Sequence, residues 1–260
     1  MIGNTVQYVH PYLANEHPIA FSHRGGAEEY PENSMRAFQA STDLGFTYLE
    51  TDVHLTADGE VVAFHDPRLD RVTDATGAIV ELPWGAVREA RIAGTEPISR
   101  LSELFTELPH ARWNIDAKSD AVLEPLLELI DEHDAWDRVC VASFYTKRLR
   151  LARTLGGARL CTSASSIEAT RVVLRSLRLP VLAPPAVALQ VPADVRGVSV
   201  VTPRFMAHAH QRGLQVHCWT INEPDEMERL LDLGVDGIMT DRPTVLREVF
   251  EQRGIWPPSR

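Results

Sequence analysis

Short apolar runs alternate with amphipathic stretches along most of the 260 residues. Runs of four to eight residues bounded by turn formers read as strands. They fall at 19–23, 48–55, 61–64, 112–118, 138–144, 158–163, 185–191, 214–221 and 234–240. Apolar positions recurring every three or four residues predict helices near 34–44, 100–108, 120–133, 146–155, 166–176, 203–212, 224–233 and 243–252. Asn33-Ser34 and Pro224-Asp225 are helix-start signals, and Gly45 and Gly234 sit where helices end. Setting 61–64 aside, eight strands alternate with helices, which predicts an α/β (β/α)8 TIM barrel. A doubly wound open sheet is the rival, weakened for dinucleotide binding by the lack of G-x-G-x-x-G after the first strand. Residues 66–99 break the rhythm and read as a small insertion at one barrel end. No internal repeat or linker interrupts the rest, so residues 1–260 are expected to form one domain.

Composition narrows the class without naming a function. A hydrophobic content of 44% and a mean hydropathy of −0.15 suit a globular chain with a large core. The formal charge of −10 argues against broad nucleic-acid affinity and gives no reason to expect attraction to anionic membranes. Cys140, Cys161 and Cys218 are scattered in apolar runs without zinc spacing, which fits buried free thiols in a reducing compartment. With neither a signal-peptide pattern nor an apolar run of membrane-spanning length, the chain is expected to be cytoplasmic and not inserted in a membrane.

The ionisable residues inside the apolar runs carry the chemistry. Residues i and i+2 of a strand share a face, so Glu50 projects with Asp52, and Asn114 with Asp116 and Lys118. At strand C-termini these groups would meet in one barrel mouth. Three converging carboxylates repel one another, and either a hard divalent cation or Arg, Lys and backbone donors would resolve that; spacing alone leaves both open. "FSHRGG" ends one run with His23 and Arg24, and "VVAFHD" ends another with His65 and Asp66. The two histidines are candidates for general acid and base, and Arg24 and Lys118 for holding an anionic group. Without a P-loop, this set points to cleavage of an ester that is already anionic.

The ordered motifs "HRGG" (23–26), "PENS" (31–34), "ETDV" (50–53), "TADG" (56–59), "HD" (65–66), "WTIN" (219–222) and "GIMTDRP" (237–243) resemble those of the glycerophosphodiester phosphodiesterases. The resemblance covers nearly the whole chain. It implies metal-dependent hydrolysis of glycerophosphodiesters to sn-glycerol 3-phosphate and an alcohol. It also implies one divalent cation, Mg²⁺ or Ca²⁺ with Mn²⁺ as a third choice, on Glu50, Asp52 and Asp116. His23 and His65 would be the acid–base pair, Arg24 and Lys118 would face the phosphate, and Trp219 would form an apolar pocket wall. The family usually has glutamate where this chain has Asp116 in "NIDAK", so a shorter arm must reach the metal directly or through water. Of the other motif residues, Glu32 is expected to orient Arg24, Asn33 or Ser34 to cap the next helix, and Asp241 to cap or buttress the last one. His54 is out of phase with Asp52 and is expected to lie away from the metal. A lysophospholipase D-like activity and a catalytically dead binding barrel are the alternatives; the retained histidines and acidic pair count against the second.

Overall fold

The computed structural model describes residues 10–182 and 185–256. Eight parallel strands follow the expected order: β1 (Ile19–His23), β2 (Tyr48–Leu55), β3 (Arg112–Ala117), β4 (Val139–Ala142), β5 (Cys161–Thr162), β6 (Ala188–Val191), β7 (Gln215–Cys218) and β8 (Gly237–Thr240). Each is followed by a helix: α1 (Met35–Asp43), α2 (Leu101–Glu107), α3 (Leu123–Glu132), α4 (Thr146–Gly156), α5 (Ser166–Ser176), α6 (Pro203–His210), α7 (Pro224–Asp232) and α8 (Pro243–Gln252). The sheet runs β5-β4-β3-β2-β1-β8-β7-β6. A parallel bridge between Ser163 and Ala188 nearly closes the ring, and Ala164 N–H donates to Ala188 C=O at 2.8 Å. The barrel therefore displaces the open-sheet rival. No helix among the described residues is long and apolar enough to cross a membrane.

Local chemistry explains the helix starts. Ser34, not Asn33, caps α1 by accepting from Ala37 N–H at 3.1 Å. Ser165 and Glu168 form a capping box on α5, and Thr202 caps α6 just before Pro203. Outward-facing strand residues and the inner faces of the helices form one large core that includes Leu49, Trp113, Val141 and Val216. Inside the barrel a smaller cluster of Phe21, Tyr48, Cys140, Cys161 and Met239 fills the floor. A short 3₁₀ helix, Pro11–Leu13, seals that floor, with Tyr12 and Leu13 buried in the same cluster. Arg112 and Gln215 hold it by donating to its carbonyls at 2.8 Å. All three cysteines are buried and free, as expected.

The segment 61–64 departs from the barrel pattern. Val61–Ala63 pairs antiparallel with the far end of β2, Val53 opposite Ala63 and Leu55 opposite Val61. The turn is tied by Thr56 Oγ1 donating to Asp58 at 2.7 Å. Because β2 overshoots the barrel, this hairpin brings the chain back down to the mouth, where Phe64 N–H donates to Asp52 C=O at 2.9 Å. His65 thus reaches the rim from a returning strand. The insertion that follows has its own small core of Phe64, Leu69, Ile79, Val87, Ile92 and Ile98, plus a short antiparallel pair, Arg91–Ile92 with Glu96–Pro97.

Candidate active site

Parallel register builds the site. His23 lies beside Glu50 across β1 and β2, and β2 sets Glu50 beside Asn114 and Asp52 beside Asp116. Their side chains point inward above the apolar floor and line one cavity of about 570 Å³ with His65, Arg24, Lys118 and Trp219. All eight residues singled out by sequence are brought together there. Gln190, near the end of β6, joins them and donates to Asn114 Oδ1 at 2.7 Å.

The "HRGG" turn needs its glycines. Gly25 has φ +79°, and a Cβ there would lie 2.6 Å from the Ala37 Cβ on α1. This close approach of turn to helix orients Arg24, whose backbone N–H donates both to Glu50 C=O at 3.0 Å and to Glu50 Oε2 at 3.1 Å. The Arg24 guanidinium lies 3.1 Å from Asp52 and 3.4 Å from Glu32.

Each histidine is fixed through Nδ1 by a carboxylate. His23 Nδ1 lies 2.6 Å from Asp241, and His65 Nδ1 lies 2.6 Å from Asp66. An Nδ1–H donated to a carboxylate leaves Nε2 as the reactive nitrogen. Burial pushes the His23 pKa down, but Glu50 and the Asp241 hydrogen bond and charge outweigh it, and the net shift is upward. Asp66 is held at about 2, first by hydrogen bonding to Arg71 and then by His65. Arg71 in turn donates to Glu32 at 2.7 Å, so the insertion, the "PENS" loop and His65 share one network.

The expected capping role of Asp241 is not met. α8 has no side-chain cap bond, and the Asp241 carboxylate holds His23 instead. Asn222 supports it, accepting from Asp241 N–H at 2.9 Å and donating to Oδ2 at 3.1 Å. Asn33 likewise serves the site, accepting from Thr51 Oγ1 at 2.8 Å and lying 3.5 Å from Asp52. Position in the "TDRP" motif gave a helix-start reading for Asp241; its neighbour β1 in the closed ring, 218 residues earlier, is what reassigns it. His54 points away and meets His65 C=O at 3.1 Å, as its phase predicted.

The carboxylates are buried: Glu50 is 5%, Asp52 2% and Asp116 7% exposed. Burial and the charge of Asp52 raise Glu50 to about 7. Burial also acts against ionised Asp52, but Lys118 and Arg24 outweigh it and lower the pKa. The Lys118 ammonium bridges Asp52 and Asp116, 2.6 Å from each. Asp116 nonetheless has a raised pKa, from burial and then the charge of Asp52. No group of three His, Cys, Asp or Glu side chains among the described residues has a metal-holding arrangement. The donor chemistry still fits a hard cation: all-oxygen carboxyls buried side by side, whose desolvation and mutual repulsion a cation would offset.

The apolar side of the cavity is formed by Trp219, edge-on to Phe144 with ring centres 5.6 Å apart, together with Val191, Val195 and Val200.

Comparison with known proteins agrees with this geometry. The model of the "Glycerophosphoryl diester phosphodiesterase family" matches residues 23–245, from His23 into α8. A Mycobacterium tuberculosis protein named "Probable glycerophosphodiester phosphodiesterase 2" is 40% identical over 94% of this chain and 95% of its own length. A glycerophosphodiester phosphodiesterase of Caldanaerobacter subterraneus is 28% identical over 91% of this chain and 99% of its own. An Oleispira antarctica phosphodiesterase, solved with the product sn-glycerol-3-phosphate, shares the fold with a TM-score of 0.76. It is 22% identical, and the match covers 90% of this chain and 97% of that one. The chain belongs to the glycerophosphoryl diester phosphodiesterase family of hydrolases.

Proposed function

We propose that this site hydrolyses glycerophosphodiesters to sn-glycerol 3-phosphate and an alcohol, with a divalent cation and two histidines. The carrying observation is that His23 and His65 line one cavity, each with Nδ1 held 2.6 Å from a carboxylate, around a cluster of acids and cations. Glu50, Asp52 and Asp116 would hold Mg²⁺ or Ca²⁺, which supplies Lewis-acid polarisation of the phosphate and charge neutralisation. The protein's own groups do the rest. One histidine Nε2 takes the proton of the attacking hydroxyl or water, and the other gives a proton to the leaving alkoxide. Asp241 and Asp66 keep each ring in the required tautomer and stabilise its charged form. Arg24 and Lys118 exchange carboxylate partners for phosphate oxygens as the anion enters. Trp219 and Phe144 pack against the apolar parts of the substrate.

The Lys118 bridge favours a second reading of the third ligand. One methylene shorter than the family's usual glutamate, Asp116 would stay with Lys118, and Glu50 and Asp52 would be the protein's direct ligands. Incubation with glycerophosphocholine and Mg²⁺ or Ca²⁺ tests the function: sn-glycerol 3-phosphate should form, and EDTA should stop it. No turnover with any divalent cation across several head groups overturns the proposal.

A further inference from the structure

Charge and exposed apolar surface are both distributed unevenly over the barrel. Residues 139–213, from β4 to just past α6, hold eleven Lys and Arg against two acids, Glu168 and Asp194. The rest of the chain holds 15 bases against 34 acids, so the net charge of −10 conceals one basic sector. Within that sector Glu168 is buried against Arg153 at 2.7 Å, and Lys147, Arg148 and Arg159 pair with Asp120 and Asp131 from outside it, which leaves the remaining outward charge mostly positive. Arg150, Arg171, Arg196 and Arg204 make no salt bridge among the described residues.

The same sector collects the exposed apolar side chains. Twelve large ones are exposed among the described residues, and all but Val80 lie between 139 and 213. Five rise from neighbouring strand ends at the active-site rim. Phe144 and Tyr145 follow β4, and Ile167 opens α5, at 51, 65 and 56% exposure. Val195 and Val198 form the cross-strand pair of a small hairpin beyond β6, at 52 and 69% exposure, with Arg196 and Gly197 at its tip. Such a group exceeds the isolated apolar residues that ordinary solvated surfaces carry. Phe144 and Val195 also line the cavity, so the apolar rim is continuous with the wall that leads to the histidines.

Apolar side chains flanked by unpaired cations match an anionic lipid surface: the first enter the headgroup–acyl boundary and the second meet the phosphates. A nucleic acid would use the cations and stack on the aromatic rings, but would leave Ile167, Val195 and Val198 without a counterpart. We propose that this rim docks the protein reversibly on anionic lipid surfaces, with the active-site mouth facing the lipid. The docking goes beyond the proposed function, because it places the mouth of that site at a lipid surface. Its test reads binding alone, so it fails or holds independently of turnover.

The full-length chain is floated with vesicles of phosphatidic acid and phosphatidylcholine, and with vesicles of phosphatidylcholine alone. Binding should be confined to the anionic vesicles and weaken as salt rises from about 0.1 to about 0.5 M. Val198→Asp with Ile167→Asp, and separately Arg196→Glu, should weaken it at least about tenfold. Val80→Asp should not. Hydrolysis of water-soluble glycerophosphocholine by the rim variants should equal that of the parent chain. Absence of anionic-vesicle binding, equal binding to neutral vesicles, or binding unchanged by the rim substitutions overturns the proposal. So does tighter binding to single-stranded DNA that the same substitutions abolish.

Discussion

His217 lies wholly inside the barrel floor, beneath the site, and its burial ties the stability of the fold to pH. Nε2 donates to Gln215 Oε1 at 3.1 Å, and Nδ1 is buried without a hydrogen-bond partner among the described residues. Phe21 lies 5.0 Å from the ring, centre to centre, and Gly237 is so close that a Cβ there would be 2.9 Å away. With no acid to compensate, burial depresses the His217 pKa from 6.5 to about 3. The unfolded chain therefore binds a proton at this position between pH 6.5 and about 3 that the folded chain does not. Stability conferred by the neutral ring is complete above pH 6.5 and falls with acidification, by up to about 1.4 kcal/mol per pH unit. Between pH 7 and 5 the loss from this one group is about 2 kcal/mol. Equilibrium urea unfolding at both pH values reads it against His217→Gln, which cannot titrate. At an m value of about 3 kcal/mol per M, the parent midpoint should fall by about 0.6 M more than the variant's between the two pH values. Equal pH dependence in the two proteins would refute the reasoning, whatever the variant's stability at pH 7.

Two further predictions concern the site. Asp241→Asn should lower kcat by at least about 10²-fold while leaving the unfolding midpoint near that of the parent, because the ring loses its tautomer control rather than its packing. The same change removes an interaction that raises the His23 pKa, so the pH–rate limb belonging to His23 should move to lower pH; an unmoved limb counts against the pairing. Asp116→Asn separates the two readings of the third ligand. A loss of metal affinity beyond the roughly 100-fold that an outer-shell partner can cost supports direct ligation, whereas affinity that stays within that range or is unchanged, with reduced kcat, supports the Lys118 bridge.

Much of this arrangement is legible in the chain because period-two and period-3.6 patterns are local properties. The eight helices and eight barrel strands fall where apolar spacing puts them, and the i, i+2 rule correctly places Glu50 with Asp52 on the inner face. Most of the departures arise from long-range pairing, and the shortened β5 from a local turn. β5 keeps only Cys161 and Thr162 of the run 158–163, because Gly157–Arg159 is taken up in a 3₁₀ turn. Val61–Ala63 reads as a strand, but only its partner shows that it returns antiparallel and delivers His65. Asp241 reads as a helix-end residue until ring closure sets β8 beside β1. The basic, apolar sector was hidden by a whole-chain charge of the opposite sign.

In the proposed mechanism His23 and His65 divide proton removal and proton donation between them, and this division has a direct test. It compares His23→Ala and His65→Ala on glycerophosphocholine and on a glycerophospho-p-nitrophenyl diester, whose leaving group needs no proton. Both variants should lose at least about 10²-fold on the choline ester. One of the two, the variant lacking the general acid, should regain most of that loss on the nitrophenyl ester, while the other stays slow. Equal losses on both esters for both variants, or full activity in either one, would contradict the account.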